Sequence, residues 1–341
     1  MGLNPKTAKI ILGIVTFLFI VVWGYSGYST GIIANKVKTT KEVISPFAKE
    51  LTNKITSKYN HSFDETKPIN ILLLGIDRRS RLEYGYRTDI MILISVNPKT
   101  NRIAMVSLPR DLWYDSGRLN AVYMFSGFER LADGFEEITG LRPQKFVLTD
   151  FEDFKWIVDA MGGVPVNVQT TFTDYDYPVD ATLGYQIVSF VQGPEKLTGE
   201  RALIFSRSRK GDYDNGDWGR MKRQHLVLKG MLEAVKQPES IFNPMVVEEA
   251  FKIVTTNKMD TNLSLDDAKY LWDFYKDKDK YQIESFYLDY DYVYTPPASE
   301  YGGAWVLTET DGGYGAFTKK VTDYLNNVPT IQYQVESHST L

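Results

Sequence analysis

The sequence predicts an α/β domain built on a sheet covered on both faces, with one membrane-spanning helix ahead of it. Three observations carry this. Unbroken apolar runs at residues 71–74, 88–96 and 103–108 lack the alternation of a half-solvated strand, so they belong in the middle of a covered sheet. From residue 119 onward, stretches of helical periodicity alternate with further strand-like runs. Residues 10–34 hold no charged side chain, enough for a helix to cross ~30 Å of hydrocarbon.

In chain order, residues 1–9 are a short head carrying Lys6 and Lys9. In residues 10–34, Trp23, Tyr25 and Tyr28 are placed as interfacial anchors. No small-residue cleavage site follows Trp23, so the segment reads as an uncleaved anchor and not as a signal peptide. Lysines on both sides (Lys6 and Lys9; Lys36, Lys38 and Lys41) leave its orientation open. Residues 35–66, rich in Lys, Thr and Ser, read as a membrane-proximal stalk. Residues 67–327 contain no repeat and no low-complexity linker, which makes one domain the economical reading, and residues 328–341 form a tail.

Within the domain the NPKTN turn joins the second and third strands. A helix is expected over 119–139 with Gly140 as its stop, then a strand at 145–148. Asp150 caps a helix over 151–161, and Gly162-Gly163 turns the chain into a strand at 164–168. Residues 170–193 are rich in Tyr and Asp. Asp174, Asp176 and Asp180 lack the spacing and terminal glutamate of a calcium loop, so a solvated loop or hairpin is expected, on which Tyr175 and Tyr177 could stack against sugar rings. Further on come a helix capped by Ser264 and Asp267, strands near 281–288 and 305–307, and a helix near 317–325 closing the sheet.

The polar residues at the strand ends point to chemistry. Asp77, Arg78 and Arg79 follow the first strand, Asp89 opens the second, and Arg110 and Asp111 follow the third. A meander of these strands brings them to one sheet edge although 33 positions separate Asp77 from Arg110. Arg207 and Arg209, two apart, face the same way on an extended segment. Asp217 is placed to cap a helix starting near Gly219. On that helix Arg220, Gln224, Leu228, Met231, Leu232 and Val235 share one stripe, with Arg223 close to it. A polar start to a buried stripe directs Arg220 and Gln224 into a site. Cations are disfavoured at a helix N-terminus, and a bound anion removes that conflict. His225, beside the stripe, reads as structural.

Two aspartates ringed by arginines suit a hard cation, Mg²⁺ with Mn²⁺ as the alternative, and a multiply charged phosphate. Other classes drop out. The chain has no cysteine, which excludes thiolate sites, and only three scattered histidines. A formal charge of -4 gives no support for nucleic-acid binding. There is no GxxxxGK[ST] loop and no GxSxG elbow.

NILLLGID, the TD pair before a buried strand, SLPRD, RLNAVY, FVLTDFEDFKWIVDAMGGVPVNV and LTGERALIFSRSRK…GDWGRMKRQ occur in this order. With the N-terminal span they make the chain resemble the LytR-CpsA-Psr family. The resemblance implies an α/β/α sandwich with a central mixed β-sheet flanked by helices, an apolar interior that takes a lipid tail, and a single-pass protein of the cell membrane with a cytoplasmic head and an extracytoplasmic domain. It implies a phosphotransferase that moves a glycopolymer from a polyprenyl-pyrophosphate carrier to a peptidoglycan hydroxyl. Carried over, Asp77 and Asp89 hold Mg²⁺, one of them serving as base. Arg110, which is also catalytic, Arg207, Arg209 and Arg220, with Arg78 and Arg223, bind the pyrophosphate and Gln224 donates to it, while Asp111 and Asp217 support them. Two other readings use the same residues: a non-catalytic polymer-binding module, and a hydrolase that releases the polymer to water.

Overall fold

The computed structural model describes residues 61–64, 67–77, 86–160, 162–179, 184–210, 216–234, 260–276 and 280–327. The head, the membrane helix, the stalk before residue 61, the tail, Arg78, Arg79, Asp180 and the end of the Arg220 stripe at Val235 lie outside them. Among the described residues no helix is long and apolar enough to cross a membrane.

The three apolar runs form β1 (Ile69–Ile76), β2 (Thr88–Asn97) and β3 (Arg102–Ser107), an antiparallel meander. A two-residue ribbon follows, β4 (Trp113–Tyr114) with β5 (Gly117–Arg118). Helix α1 (Leu119–Thr139) is interrupted at Gly127, whose φ of 78° leaves the helical region, and ends at a left-handed Gly140. Next come β6 (Lys145–Thr149), α2 (Phe151–Ala160) and β7 (Val164–Val168). Asp150 accepts from the Asp153 amide at 3.0 Å, as its capping position requires. The stretch rich in Tyr and Asp is a hairpin of β8 (Phe172–Pro178) and β9 (Tyr185–Phe190), after which β10 (Gly193–Leu197) pairs with β7.

Helices α3 (Gly199–Arg207) and α4 (Gly216–Ala234) then cross the sheet, followed by β11 (Asp260–Thr261), α5 (Leu265–Lys276) and β12 (Gln282–Tyr287). The small ladder of β13 (Val293–Tyr294) and β14 (Thr308–Glu309) lies just beyond the expected strand at 305–307, of which only Leu307 bridges, to Leu112. The last helix, α6 (Gly313–Leu325), packs against α1 and β3, so it covers a sheet face and does not close an edge.

The main sheet is six-stranded and mixed, in the order β11-β6-β1-β2-β3-β12. Strand β6 runs parallel to β1 and β12 parallel to β3. Alternate residues of β1 enter two separate cores. Ile69, Ile71 and Leu73 meet Ile157, Phe205, Val227 and Met231 of α2, α3 and α4 on one face. Leu72, Leu74 and Ile76 meet Leu131, Phe135, Phe317 and Val321 of α1 and α6 on the other. Burial on both faces is the reason these strands read as continuous apolar runs. Glycine at position 230 lets α4 lie directly on β7, because a Cβ there would fall 2.1 Å from the Pro165 carbonyl oxygen.

The chain enters this domain through residues 61–64. Phe63 is buried, and Ser62 donates its amide and hydroxyl to Asp267 Oδ1 at 2.7 and 2.8 Å. Asp267 Oδ2 accepts from the Ser264 amide, Ser264 Oγ accepts from the Asp267 amide, and Lys145 Nζ lies 3.0 Å away. Burial raises the carboxyl pKa, but the hydrogen bonds from Ser62, Ser264 and Lys145 outweigh it and bring it down to about 2. A folded value below the unfolded ~3.9 means this stabilisation is complete above about pH 4 and is lost as pH falls toward 2. Asp267→Ala is expected to cost about 2–3 kcal/mol at pH 7, as a lost cap plus stranded donors. Urea denaturation of both proteins would show the gap between them narrowing from pH 5 to pH 2; a constant gap would refute the assignment.

Candidate active site

The first wall of the site begins with an irregularity in the β1–β2 ladder. Gly75 pairs with Ile90 but Ile76 pairs with Thr88, so Asp89 has no residue opposite it. Such a bulge re-aims a side chain at the end of a strand. Glycine is needed at position 75, because a Cβ there would sit 2.9 Å from the Ile90 Cβ. Thr88 Oγ1 donates to the Asn120 carbonyl at 3.1 Å, and Asn120 Nδ2 donates to Asp89 Oδ1 at 3.3 Å. Arg110, whose carbonyl accepts from the Asn120 amide, places Nη1 2.5 Å from Asp89 Oδ2 and Nε 3.2 Å from Asp111 Oδ2. Asp111 is shared with Arg118 at 3.4 Å. Burial lowers the Arg110 pKa, but Asp89, Asp111 and Asp217 together hold it above its usual value. Asp77 is exposed and extends the ladder by donating its amide to the Arg87 carbonyl.

The second wall comes from α3 and α4. Arg207 is the last residue of α3 and not part of an extended segment, because helical hydrogen bonding persists to Ser208, whose amide donates to the Ile204 carbonyl. The Arg207 guanidinium lies 4.0 Å above the centroid of the Phe151 ring and donates to the Tyr177 hydroxyl at 3.2 Å. Beyond it the amides of Arg209 and Lys210 both donate to Asp174 Oδ2, at 3.0 and 3.3 Å. Asp217 is the second residue of α4 rather than a residue ahead of it, and it bridges two cations: Arg209 Nη2 at 3.0 Å and Arg220 Nη2 at 2.9 Å. Gln224 is fixed by donating to the Ser206 carbonyl at 3.2 Å.

These walls enclose a cleft of about 350 Å³ lined by Asp77, Asp89, Arg110, Asp174, Arg207, Arg209, Arg220 and Gln224. Its electrostatics are unbalanced. Burial, then the charges of Arg220 and Arg110, push the Arg209 pKa down to about 10. Arg220 is 4% exposed, and its Nε is buried with no partner among the described residues. An anion in the cleft would offset the repulsion on Arg209 and the buried charge of Arg220. Asp77 and Asp89 offer a cation only oxygen donors, and no group of three or more metal-ligating side chains forms among the described residues. That set fits Mg²⁺, which takes one or two carboxylates and completes its shell with phosphate oxygens and water. The cleft meets a narrow apolar channel at Gly75, Ile90, Phe151 and Gln224; the channel runs between the sheet and α2–α4 past Leu73, Ile92, Phe154, Leu203 and Val227.

Other expected positions differ. Arg223 faces away from the cleft, donating Nε to the Phe205 carbonyl at 3.0 Å and Nη2 to the Ser208 carbonyl, because helical geometry turns it off the Arg220 stripe. It holds the end of α3 in place. Tyr177 is 3% exposed with its hydroxyl on Arg207, so it has no face for a sugar, whereas Tyr175 is exposed. His225 is structural: buried, 2.8 Å from Ser107 Oγ, and pushed down to about 3 by burial and then Lys229. Asp174 and Asn120 were not singled out from sequence. The period-two placement of Asp174 on a strand, facing inward with Phe172, was the available signal for the first; for Asn120 there was none beyond the RLNAVY string. Asp174→Ala strands two amides and is expected to lower the melting temperature and, by releasing Arg209, the affinity of the cleft for pyrophosphate by about tenfold. Asp311→Ala, at an exposed carboxylate outside the cleft, should change neither in parallel calorimetric titrations.

Comparison with known proteins supplies the lineage. The LytR_cpsA_psr family model matches residues 30–312. The polyisoprenyl-teichoic acid–peptidoglycan teichoic acid transferase TagU of Enterococcus faecalis is 31% identical over 277 residues, covering 79% of this chain and 83% of that one. The crystal structure of Bacillus subtilis TagU superposes with a TM-score of 0.53 at 28% identity, covering 76% of this chain and 97% of that one. A structure of TagT bound to LIIa-WTA shares the fold, with a TM-score of 0.58 at 23% identity over 80% of this chain and 98% of that one. With more than half its length matched by the family model, this chain belongs to the LytR-CpsA-Psr family.

Proposed function

We propose that the protein is a membrane-anchored phosphotransferase that moves a glycopolymer from a polyprenyl-pyrophosphate carrier to a hydroxyl of peptidoglycan. One observation carries the reading: a cleft with four arginines opens, at Gly75, Ile90, Phe151 and Gln224, onto an apolar channel. A ligand that uses both has a multiply charged head and a hydrocarbon tail. The relatives' names, as teichoic acid–peptidoglycan transferases, support a cell-wall polymer as the transferred group.

In this reading the isoprenoid tail enters the channel and the pyrophosphate lies among Arg110, Arg207, Arg209 and Arg220. The acceptor oxygen forms a bond to the sugar-linked phosphorus, the bond from that phosphorus to the bridging oxygen breaks, and polyprenyl phosphate leaves. The hydroxyl proton passes to an oxygen of Asp89 or Asp77 that is left free of cation and arginine contacts when substrate is bound. Mg²⁺ held by Asp77 and Asp89 would neutralise charge on the phosphates. The arginines do the remaining work by fixing the phosphates in line and stabilising charge that builds on the leaving oxygen. Because Asp89 and Arg110 already touch, substrate binding must redistribute that contact: Arg110 turns to phosphate and frees one carboxylate oxygen.

The test uses the full-length chain in detergent with a short-chain polyprenyl-pyrophosphate saccharide, Mg²⁺ and peptidoglycan oligomers. Mass spectrometry should find a phosphodiester-linked saccharide on the acceptor together with polyprenyl phosphate. Arg110→Ala and Asp89→Ala should each lower kcat by about 10²–10³ while the circular dichroism melt persists. Free saccharide phosphate without adduct would make the protein a hydrolase, and tight binding with neither product would make it a binding module.

A further inference from the structure

Among the described residues, the hairpin of β8 and β9 stands apart from the main sheet, its two strands pairing with each other. One face is turned inward, where Phe172, Asp174, Tyr177 and Phe190 are buried. Phe172 and Phe190 belong to the core shared with α2, α3 and α4. A strand pair with one covered face normally turns polar side chains to the other. This hairpin does not. Tyr185 and Ile187, two apart on β9, point away from the core, and Val191 follows just beyond the strand. The irregularity between Asp174 and Tyr177 sets Tyr175 beside them on β8. These four side chains are 55–70% exposed.

From Tyr185 to Val191 the strand covers about 20 Å, so the exposed residues form a patch and not a scatter. Charges beside it are neutralised in pairs, Asp176 with Lys210 at 3.1 Å and Glu195 with Arg201. The patch is continuous with the cleft, because Pro178 and Tyr185 line the cleft while remaining exposed. We infer that this face docks on a lipid bilayer, with Ile187 and Val191 entering the boundary between headgroups and acyl chains and the two tyrosines at headgroup level. The aliphatic residues select lipid over sugar, since Ile187 and Val191 offer a glycan neither an aromatic face nor a hydrogen bond. The chain's uncharged stretch at residues 10–34 leaves residues 35–60 before the described domain, a length that reaches up to ~85 Å when extended. Such a tether limits how far the domain strays but does not orient it; the hairpin supplies the orientation. The inference deepens the reading above and rests on its bilayer carrier: docking brings the mouth of the cleft to the level of the lipid phosphates.

The chain has no cysteine, so a single introduced one carries a fluorophore at a chosen place. The full-length protein is reconstituted in vesicles of phosphatidylethanolamine and phosphatidylglycerol that contain lipids with a nitroxide high on the acyl chain. Labels are placed by Ile187→Cys, Val191→Cys and, as control, Lys319→Cys, an exposed position of α6 on the opposite side of the sheet. Quenching at 187 and 191 should exceed that at 319 severalfold, and adding Ile187→Glu to Val191→Cys should bring it down to the control level, with a thermal melt to confirm folding. Quenching is read without substrate, so a failed transfer assay leaves docking standing and a successful one does not rescue it. Equal, weak quenching at the three positions would overturn the inference. So would contact between labels of two molecules at position 187 without lipid quenching, which would give the face to a second copy of the chain. Shielding of that label by added oligosaccharide, again without lipid quenching, would give it to a glycan and overturn the inference as well.

Discussion

Mutual repulsion among clustered, partly buried guanidiniums is the constraint around which the site is built. Arg110, Arg209 and Arg220 line one cleft, and burial, then the charges of Arg220 and Arg110, lowers the Arg209 pKa. At an effective dielectric near 20, two unit charges 4–6 Å apart repel by roughly 3–4 kcal/mol. A fold that concentrates cations in this way needs compensation, and each carboxylate provides it at a specific place. Asp217 lies between Arg209 and Arg220, Asp89 meets Arg110, and Asp111 draws Arg110 toward Arg118. The compensation is incomplete at Arg209, and an anion in the cleft would add to it.

Backbone devices hold these charges in position. The β1–β2 bulge turns Asp89 toward Arg110, and Asn120 fixes it through both its side chain and its neighbours. Asp174, reaching across from the hairpin, accepts the two amides that follow α3 and sets the direction in which Arg209 leaves the helix. Arg223 ties the same segment from the other side. The hairpin and α4 therefore hold, from two sides, the segment that carries Arg209. None of these supporting residues needs to touch a substrate to matter.

Much of this was legible in the sequence, and the limits are physical. Doubly buried strands announce themselves as apolar runs, so the meander and the meeting of Asp77, Asp89 and Arg110 could be read directly. Stripe analysis put Arg220 and Gln224 on one face of α4, and both line the cleft because α4 is regular and buried along that face. It brought in Arg223 because a helical stripe has no sharp edge; only the neighbouring carbonyls of Phe205 and Ser208 decide that this side chain turns away. The SRSRK string looked extended because alternating arginines satisfy a period of two, whereas α3 continues through Arg207 under tertiary packing on α2. Asp174 looked solvated because nothing local reveals that its strand folds back over the arginines.

The junction between cleft and channel is the last consequence of the same arrangement. A bilayer lipid with a charged head presents conflicting demands, since its tail must leave water while its phosphates must keep strong partners. Here the boundary is set by very few side chains. Glycine at position 75 keeps the strand edge thin where Ile90 crosses it, and Phe151 carries Arg207 on its ring. Gln224, anchored on the Ser206 carbonyl, is the one polar residue of α4 that lines both spaces. A guanidinium stacked on an aromatic face is apolar along its plane and polar at its rim. Arg207 therefore keeps its charge while lying on the Phe151 ring, which is why an arginine and not a lysine suits that position.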